Sequence, residues 1–383
     1  MKFSEFIDVR DGTHDSPKRV NVGKKLITTK NLEDNCIDFT NAKNISLNDF
    51  KRINERSKVD QFDILLSMIG TVGNVYQERA VFPDYAIKNL ALLKFHGDEL
   101  LSNWMNYYLQ SKKGQSKIHQ RLSGSTQQYI SLTDLRNIEI TLPDRDQMEL
   151  CIKPLRYLDD LILKNNQIND NLTKLINLLF LEVYKSTSLY KPLKEVANVS
   201  NGYAFKSKDL LDVPIDNSSP VFKMRNIKNN GGFDHTKIKS WVTPDYYPKD
   251  KFLAQYGDIL MSMTDMKDNV RILGHTALMD VDKKYYINQR VCLIRPTELP
   301  FEYLYPLTNS DDYINELRKH ANHGVQVNLT IKSIKDSKIK IPNNNQLQKY
   351  IKLVRPLFEQ VINNNQENLI MSQIKCNLLN KFF

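Results

Sequence analysis

The chain repeats itself, and self-similarity at a fixed long period means that one structural unit is built twice. Near the start, Phe3, Phe6 and Val9 lead at three-residue spacing to Gly12, and Leu193, Val196 and Val199 lead in the same rhythm to Gly202. Lys30-Asn31-Leu32 answers Arg225-Asn226-Ile227 at an offset of 195. At that same offset Asp63-Ile64-Leu65-Leu66-Ser67-Met68 answers Asp258-Ile259-Leu260-Met261-Ser262-Met263. Tyr85-Ala86-Ile87 and Tyr285-Tyr286-Ile287 each open an apolar run, Ala91 to Phe95 and Val291 to Ile294. Leu135, Ile138, Ile140 and Leu142-Pro143 face Ile334, Ser337, Ile339 and Ile341-Pro342. Beyond the prolines, Ile152-Lys153, Arg156 and Asn165-Asn166-Gln167 face Ile351-Lys352, Arg355 and Asn364-Asn365-Gln366 at an offset of 199. Matches kept in order with a slowly drifting offset describe a tandem duplication.

Each copy divides into a globular part and a tail. The globular parts, 1–143 and 191–342, mix short strands with helices. Asp63 to Met68 and Asp258 to Met263 read as buried strands opened by an acidic turn residue. Leu101 to Gln120 reads as one helix, with Trp104, Tyr108 and Lys112 at four-residue steps. Arg136 to Leu142 alternates as a final strand that Pro143 stops. The tails, 144–190 and 343–383, change period. Leu158, Leu161, Asn165, Ile168, Leu172, Leu175 and Leu179 step by three and four, a heptad seam. Leu357, Gln360 or Val361, Asn364, Glu367, Met371, Ile374 and Leu378 repeat it. A polar Asn at the same step of both tails, Asn165 and Asn364, is the device that fixes helix-helix register at a cost in stability. The expected architecture is mixed α/β: two pseudo-symmetric globular domains joined by two long antiparallel, coiled-coil-like helices.

The formal net charge of +10 sits mostly on the globular parts, with +3 in 1–143 and +5 in 191–342. An anionic partner would bind there. The four cysteines are scattered, with no CxxC and no Cys/His cluster, so neither a zinc site nor a disulfide framework is expected. The first residues carry no signal-peptide pattern, and no run of about 18 apolar residues occurs. A cytoplasmic protein is the expectation.

Chemistry is hard to find. No GxGxxG and no Pro-Pro dipeptide occur, so the cofactor and catalytic loops of a methyltransferase are missing, and no GxxxxGK(S/T) phosphate loop is present. Pro244-Asp245 with Asp282-Lys283-Lys284 can be assembled into a nuclease-like set, a pattern that a chain rich in Lys and Asp produces by accident. His320 and His323 lack a carboxylate to complete a metal site. Gly12-Thr13-His14-Asp15 faces Gly202-Tyr203-Ala204-Phe205, so the two copies share a scaffold while their exposed residues differ. Divergent loops on a common scaffold read as recognition.

These features together resemble the specificity subunit of Type I restriction–modification systems. The resemblance rests on the paired openings that end in Gly and on Phe62 to Ser67 and Gly257 to Ser262. It extends to Ser123-Gly124-Ser125-Thr126-Gln127-Gln128, followed by Ile130-Ser131-Leu132 and then Leu142-Pro143. The second copy departs from that last pattern, since His323-Gly324-Val325-Gln326-Val327-Asn328 keeps only its Gly and Gln. The resemblance implies two target recognition domains, 1–143 and 191–342, each reading one half of a split, asymmetric target in double-stranded DNA. It implies helical spacers at 144–190 and 343–383 that bind modification (methyltransferase) subunits, with restriction (motor-nuclease) subunits completing the complex. It implies no catalytic residue, no metal and no cofactor in this chain. The rival readings are a protein-interaction adaptor without a DNA role and a degenerate nuclease.

DNA contacts are expected from basic, amide and aromatic side chains in the divergent loops. In the first unit these are His14, Lys18, Arg19, Lys30, Thr71 and Asn74. In the second they are Tyr203, Lys206, Arg225, Lys267, Arg271, Asn288 and Arg290. Arg and Asn match guanine and adenine edges in a bidentate way, whereas Lys mostly holds phosphates.

Overall fold

The structure, a computed structural model, describes residues 1–33, 35–266 and 270–383. It divides into two compact units, Met1–Leu163 with Ile370–Phe383, and Lys164–Leu369. In the first unit the Ile-Leu-Leu strand Ile64–Ser67 lies inside a four-stranded antiparallel sheet. The order is Asp8–Asp11, Leu90–Lys94, Ile64–Ser67, Val75–Gln77. All four residues of Ile64–Ser67 and all five of Leu90–Lys94 are buried, as expected for central strands covered on both faces. A second, three-stranded sheet sets Lys24–Ile27 between Lys43–Ile45, antiparallel, and Tyr85–Ile87, parallel.

The second unit repeats both of these sheets. Its four-stranded sheet runs Ala197–Asn201, Val291–Pro296, Ile259–Ser262, Thr276–Leu278. Its three-stranded sheet sets Ser219–Phe222 between Trp241–Val242, antiparallel, and Tyr286–Ile287, parallel. Smaller pairings differ between the units: Leu32–Glu33 pairs with Cys36–Ile37 where the second unit has the single bridge Ile227 to Phe233, and Tyr190–Pro192 pairs with Lys338–Lys340 where the first has the single bridge Lys2 to Glu139. Thr264–Met266 pairs with Gln326–Asn328, which pairs with Asn322–His323, where the first unit has only the single bridges Ile69 to Tyr129 and Ser123 to Tyr129.

The acidic residues that open the matched strands are buried ion-pair anchors. Asp63 accepts from the Asp60 backbone N–H at 2.8 Å and pairs with Lys94 at 2.7 Å. Burial pushes the Asp63 carboxyl above its ordinary value, against the pull of Lys94. Asp258 does the same work with a stronger partner, because Arg295 grips both of its oxygens, at 2.9 and 2.7 Å. The position is retained; the cation across it changes.

Two expected elements take another form. The helix read over Leu101 to Gln120 breaks at Ser111 into Glu99–Gln110 and Lys112–His119. The Ser111 hydroxyl caps the new helix by accepting from Gly114 N–H at 3.1 Å, and Gly114 lies so close to Tyr108 that a Cβ there would meet its carbonyl oxygen at 2.0 Å. Over 136–142 no strand forms: a short helix, Leu132–Arg136, capped by Ser131, comes first, and a single bridge joins Lys2 to Glu139.

The tails are continuous helices, Arg145–Lys185 and Asn344–Phe382. Within the second unit they run antiparallel through an asparagine ladder. Asn364 donates to Asn169 at 2.8 Å, Asn169 to Asn365 at 3.0 Å, Asn165 to Asn368 at 3.2 Å, and Asn368 to Asn166 at 2.9 Å. Within the first unit Lys375 meets Asp159 at 2.7 Å in the same sense. The seam is shifted from the heptad reading, since Ile168, Leu175 and Ile374 are exposed. The buried helix face is set by the globular part as well as by the other helix. Met148, Ile152, Leu155 and Leu379 join the first core, and Ile176, Phe180, Val354, Phe358 and Ile362 join the second. Arg156 and Arg355 tie each helix to its own globular part through Glu99, at 2.9 Å, and Glu302, at 2.7 Å.

Candidate nucleic-acid interface

Three segments far apart in sequence meet in each unit, and a glycine makes the meeting possible. In the first unit Gly12 N–H donates to Leu90 at 2.9 Å, Thr13 to Ile87 at 3.1 Å, and Asn89 back to Thr13 at 3.2 Å, while Lys88 donates to Ile27 at 2.8 Å. A Cβ on Gly12 would lie 2.6 Å from the Ile87 carbonyl oxygen, so a side chain there would force these strands apart. The segment Gly12 to His14 is thereby fixed against Lys88-Asn89 and the end of the Lys24–Ile27 strand.

The polar side chains at this junction are organised. His14, well exposed, contacts Asn89 through Nδ1 and Asp11 through Nε2, both at 2.9 Å, and Asp11 is also paired with Arg56. Next to it, buried Asn31 holds a tight turn by accepting from Thr28 N–H at 3.0 Å and donating to the Asp38 carbonyl at 3.3 Å. That buried anchor leaves Lys30 projecting into solvent. Asn74 donates to the Leu32 carbonyl at 3.1 Å, which brings the loop after Ile64–Ser67 to the same end of the unit. Thr71 is exposed on that loop. Lys18 and Arg19 are exposed on the following stretch, which Val20 N–H ties to Asn44 at 3.1 Å.

The second unit builds the same junction from different side chains. Gly202 donates to Val291 at 3.1 Å, Tyr203 to Ile287 at 2.7 Å, Gln289 to Tyr203 at 2.9 Å and Asn288 to Phe222 at 3.0 Å. A Cβ on Gly202 would meet the Asn288 carbonyl oxygen at 2.3 Å. Buried Asn226 accepts from Lys223 N–H at 2.8 Å and leaves Arg225 exposed, as Asn31 leaves Lys30. Arg290 N–H donates to the Asn288 side chain at 3.3 Å, so Tyr203, Arg225, Asn288 and Arg290 share one end of the unit. Lys206 is exposed just beyond, ahead of the turn Ser207–Asp209. Arg271 follows the strand Thr264–Met266; its N–H donates to Asp265 at 2.6 Å and its carbonyl accepts from Arg318 at 3.2 Å. Lys267 falls outside the described residues.

Sequence reading passed over Lys223 at this end. Lys223 is half-buried and donates to Ser240 Oγ at 2.6 Å; burial, together with the charge of Arg225, lowers its pKa. The sequence shows Lys223 only as one of the two cations in Lys223-Met224-Arg225, and its burial is not written there. Of the register asparagines, Asn165 and Asn364 do not bond each other; each reaches a different residue of the opposite helix, and Asn169 supplies the missing rung.

Among the described residues no group of three or more His, Cys, Asp and Glu is placed to hold a metal ion. His320 lies 3.8 Å from Glu316 in an exposed pair. No helix is long and apolar enough to cross a membrane, again among the described residues.

Comparison with known proteins gives the same organisation a family. The family model described as the Type I restriction modification DNA specificity domain matches twice, over residues 11–174 and 186–370. The specificity subunit of the Type I restriction enzyme MjaIX of Methanocaldococcus jannaschii is 23% identical over 322 residues, covering 74% of this chain and 68% of that protein. The crystal structure of the Type I restriction-modification S subunit from M. genitalium superposes with a TM-score of 0.54 at 15% identity, covering all of this chain and 95% of the other. The HsdS subunit from Thermoanaerobacter tengcongensis gives a TM-score of 0.33 at 14% identity, covering all of this chain and 95% of that one. With both halves matched by one model, the chain belongs to the specificity subunits of Type I restriction–modification systems.

Proposed function

We propose that each unit reads one half of a split, asymmetric target in double-stranded DNA, and that the chain itself carries out no catalytic step. The observation that carries this reading is the duplicated junction: glycine, buried asparagine and strand ends are the same in both units, while the exposed residues are His14 and Lys30 in one and Tyr203 and Arg225 in the other. A scaffold kept constant under different exposed groups suits two different sequences read in one frame. The paired helices then serve as spacer and as the attachment for modification subunits, with restriction subunits completing a cytoplasmic complex.

The test is co-purification with the modification subunit, followed by binding measured over a range of salt. Lys30→Ala is expected to weaken target and non-target duplexes alike and to lower the slope of log K against log salt by about one. Arg225→Ala is expected to cost about 1–3 kcal/mol on the target and to relax the preference at one base pair. Salt-insensitive binding, or equal loss of every sequence with both variants, would count against base reading by this surface.

A further inference from the structure

The two junctions differ most where Thr13 is replaced by Tyr203, and that difference is a rigid aromatic surface. Both backbone polar groups of Tyr203 are occupied, the N–H by Ile287 at 2.7 Å and the carbonyl by Gln289 at 2.9 Å. Its ring is braced edge-on by Phe205, with centroids 5.0 Å apart, and by Phe252 at 5.3 Å. Lys251 lies over the Phe252 ring at 4.9 Å. Even so, Tyr203 remains 39% exposed, and Gln289, which bonds its carbonyl, is followed directly by Arg290. An aromatic group held this firmly gives up little freedom on binding.

In a duplex the bases are stacked, and a protein side chain meets their edges. The major groove offers hydrogen-bond donors and acceptors at every base pair and one apolar group, the thymine C5-methyl. We propose that Tyr203 is a specificity-determining residue whose ring packs on a thymine methyl in the half-site read by the second unit. The first unit, with Thr13 and His14 at this place, has no such surface. The inference rests on the DNA-reading function proposed above.

Target duplexes with dU replacing dT one position at a time, bound by the full chain with its modification subunits, supply the test. The expected result is a loss of about four-fold at one position of the second half-site, the value of one buried methyl. Tyr203→Phe keeps that loss, because the ring and not the hydroxyl makes the contact. Tyr203→Ala binds dU and dT equally there, and its response to changes in the first half-site stays that of the wild type, which reports a folded chain. A second half-site without an A·T pair, the lack of any dU-sensitive position in it, or a dU penalty that survives in Tyr203→Ala overturns the proposal while leaving the DNA-reading function standing. Binding without any sequence preference overturns both.

Discussion

Exchanging residues 1–143 for the globular part of a relative is expected to replace one half of the methylated target and leave the other half as it was. Each mismatched base pair costs about 1–3 kcal/mol, roughly additively, so the original half-site should be lost to the chimaera entirely. The physical basis is that the exposed groups of the first unit are borne on its own sheet ends. His14 is held by Asn89 and Asp11, and Lys30 by the turn around Asn31, all inside 1–143. The graft must supply apolar partners for Met148, Ile152, Leu155 and Leu379, the helix residues that complete the first core. A folded chimaera whose target changed in both halves would contradict independent reading by the two units.

A heptad inserted into both long helices is expected to widen the unread gap by about three base pairs, with both half-sites unchanged. Seven helical residues add roughly 10 Å, and each base pair takes up about 3.4 Å. The antiparallel ladder sets where the insertions go: Asn169 faces Asn364 and Asn365, so the opposed points are after Asn169 and after Asn363. Insertions at unopposed points would break the asparagine rungs, and the buried one, Asn364 to Asn169, costs about 1–3 kcal/mol when left unpaired. A heptad turns a helix face by only about 20°, whereas three base pairs at 10–10.5 per turn rotate the DNA by roughly 100°. Affinity is therefore expected to fall as the gap grows. Methylation at the original spacing would mean that the helices serve only to attach partners.

The repeat was legible because duplication preserves what the fold cannot do without. Gly12 and Gly202 stand where a Cβ would strike a carbonyl, Asn31 and Asn226 hold the same turn, and Asp63 and Asp258 anchor the same strand. The charge across each anchor was not legible, since Lys94 and Arg295 enter from a strand whose pairing the sequence does not state. The helix seam was misplaced for a related reason. Periodicity reports one buried stripe, and these helices bury a face against the globular part as well as against each other. That is why Ile176 and Phe180 are buried while Ile168 and Leu175 are not. The interface itself was half visible: sequence variation between the copies marked the loops, yet only the fold joined His14 to Asn89 and Tyr203 to Asn288. Lys223 was hidden because its significance is burial, which a charge pattern does not show.

The most direct test of the central claim is to express the chain with its modification subunit and map every methylated adenine in the host genome. Two separate reading units on one duplicated scaffold should give a single motif of two different short half-sites with a fixed run of unread base pairs between them. A continuous motif, a palindrome, or the same methylation pattern with and without this chain would contradict it.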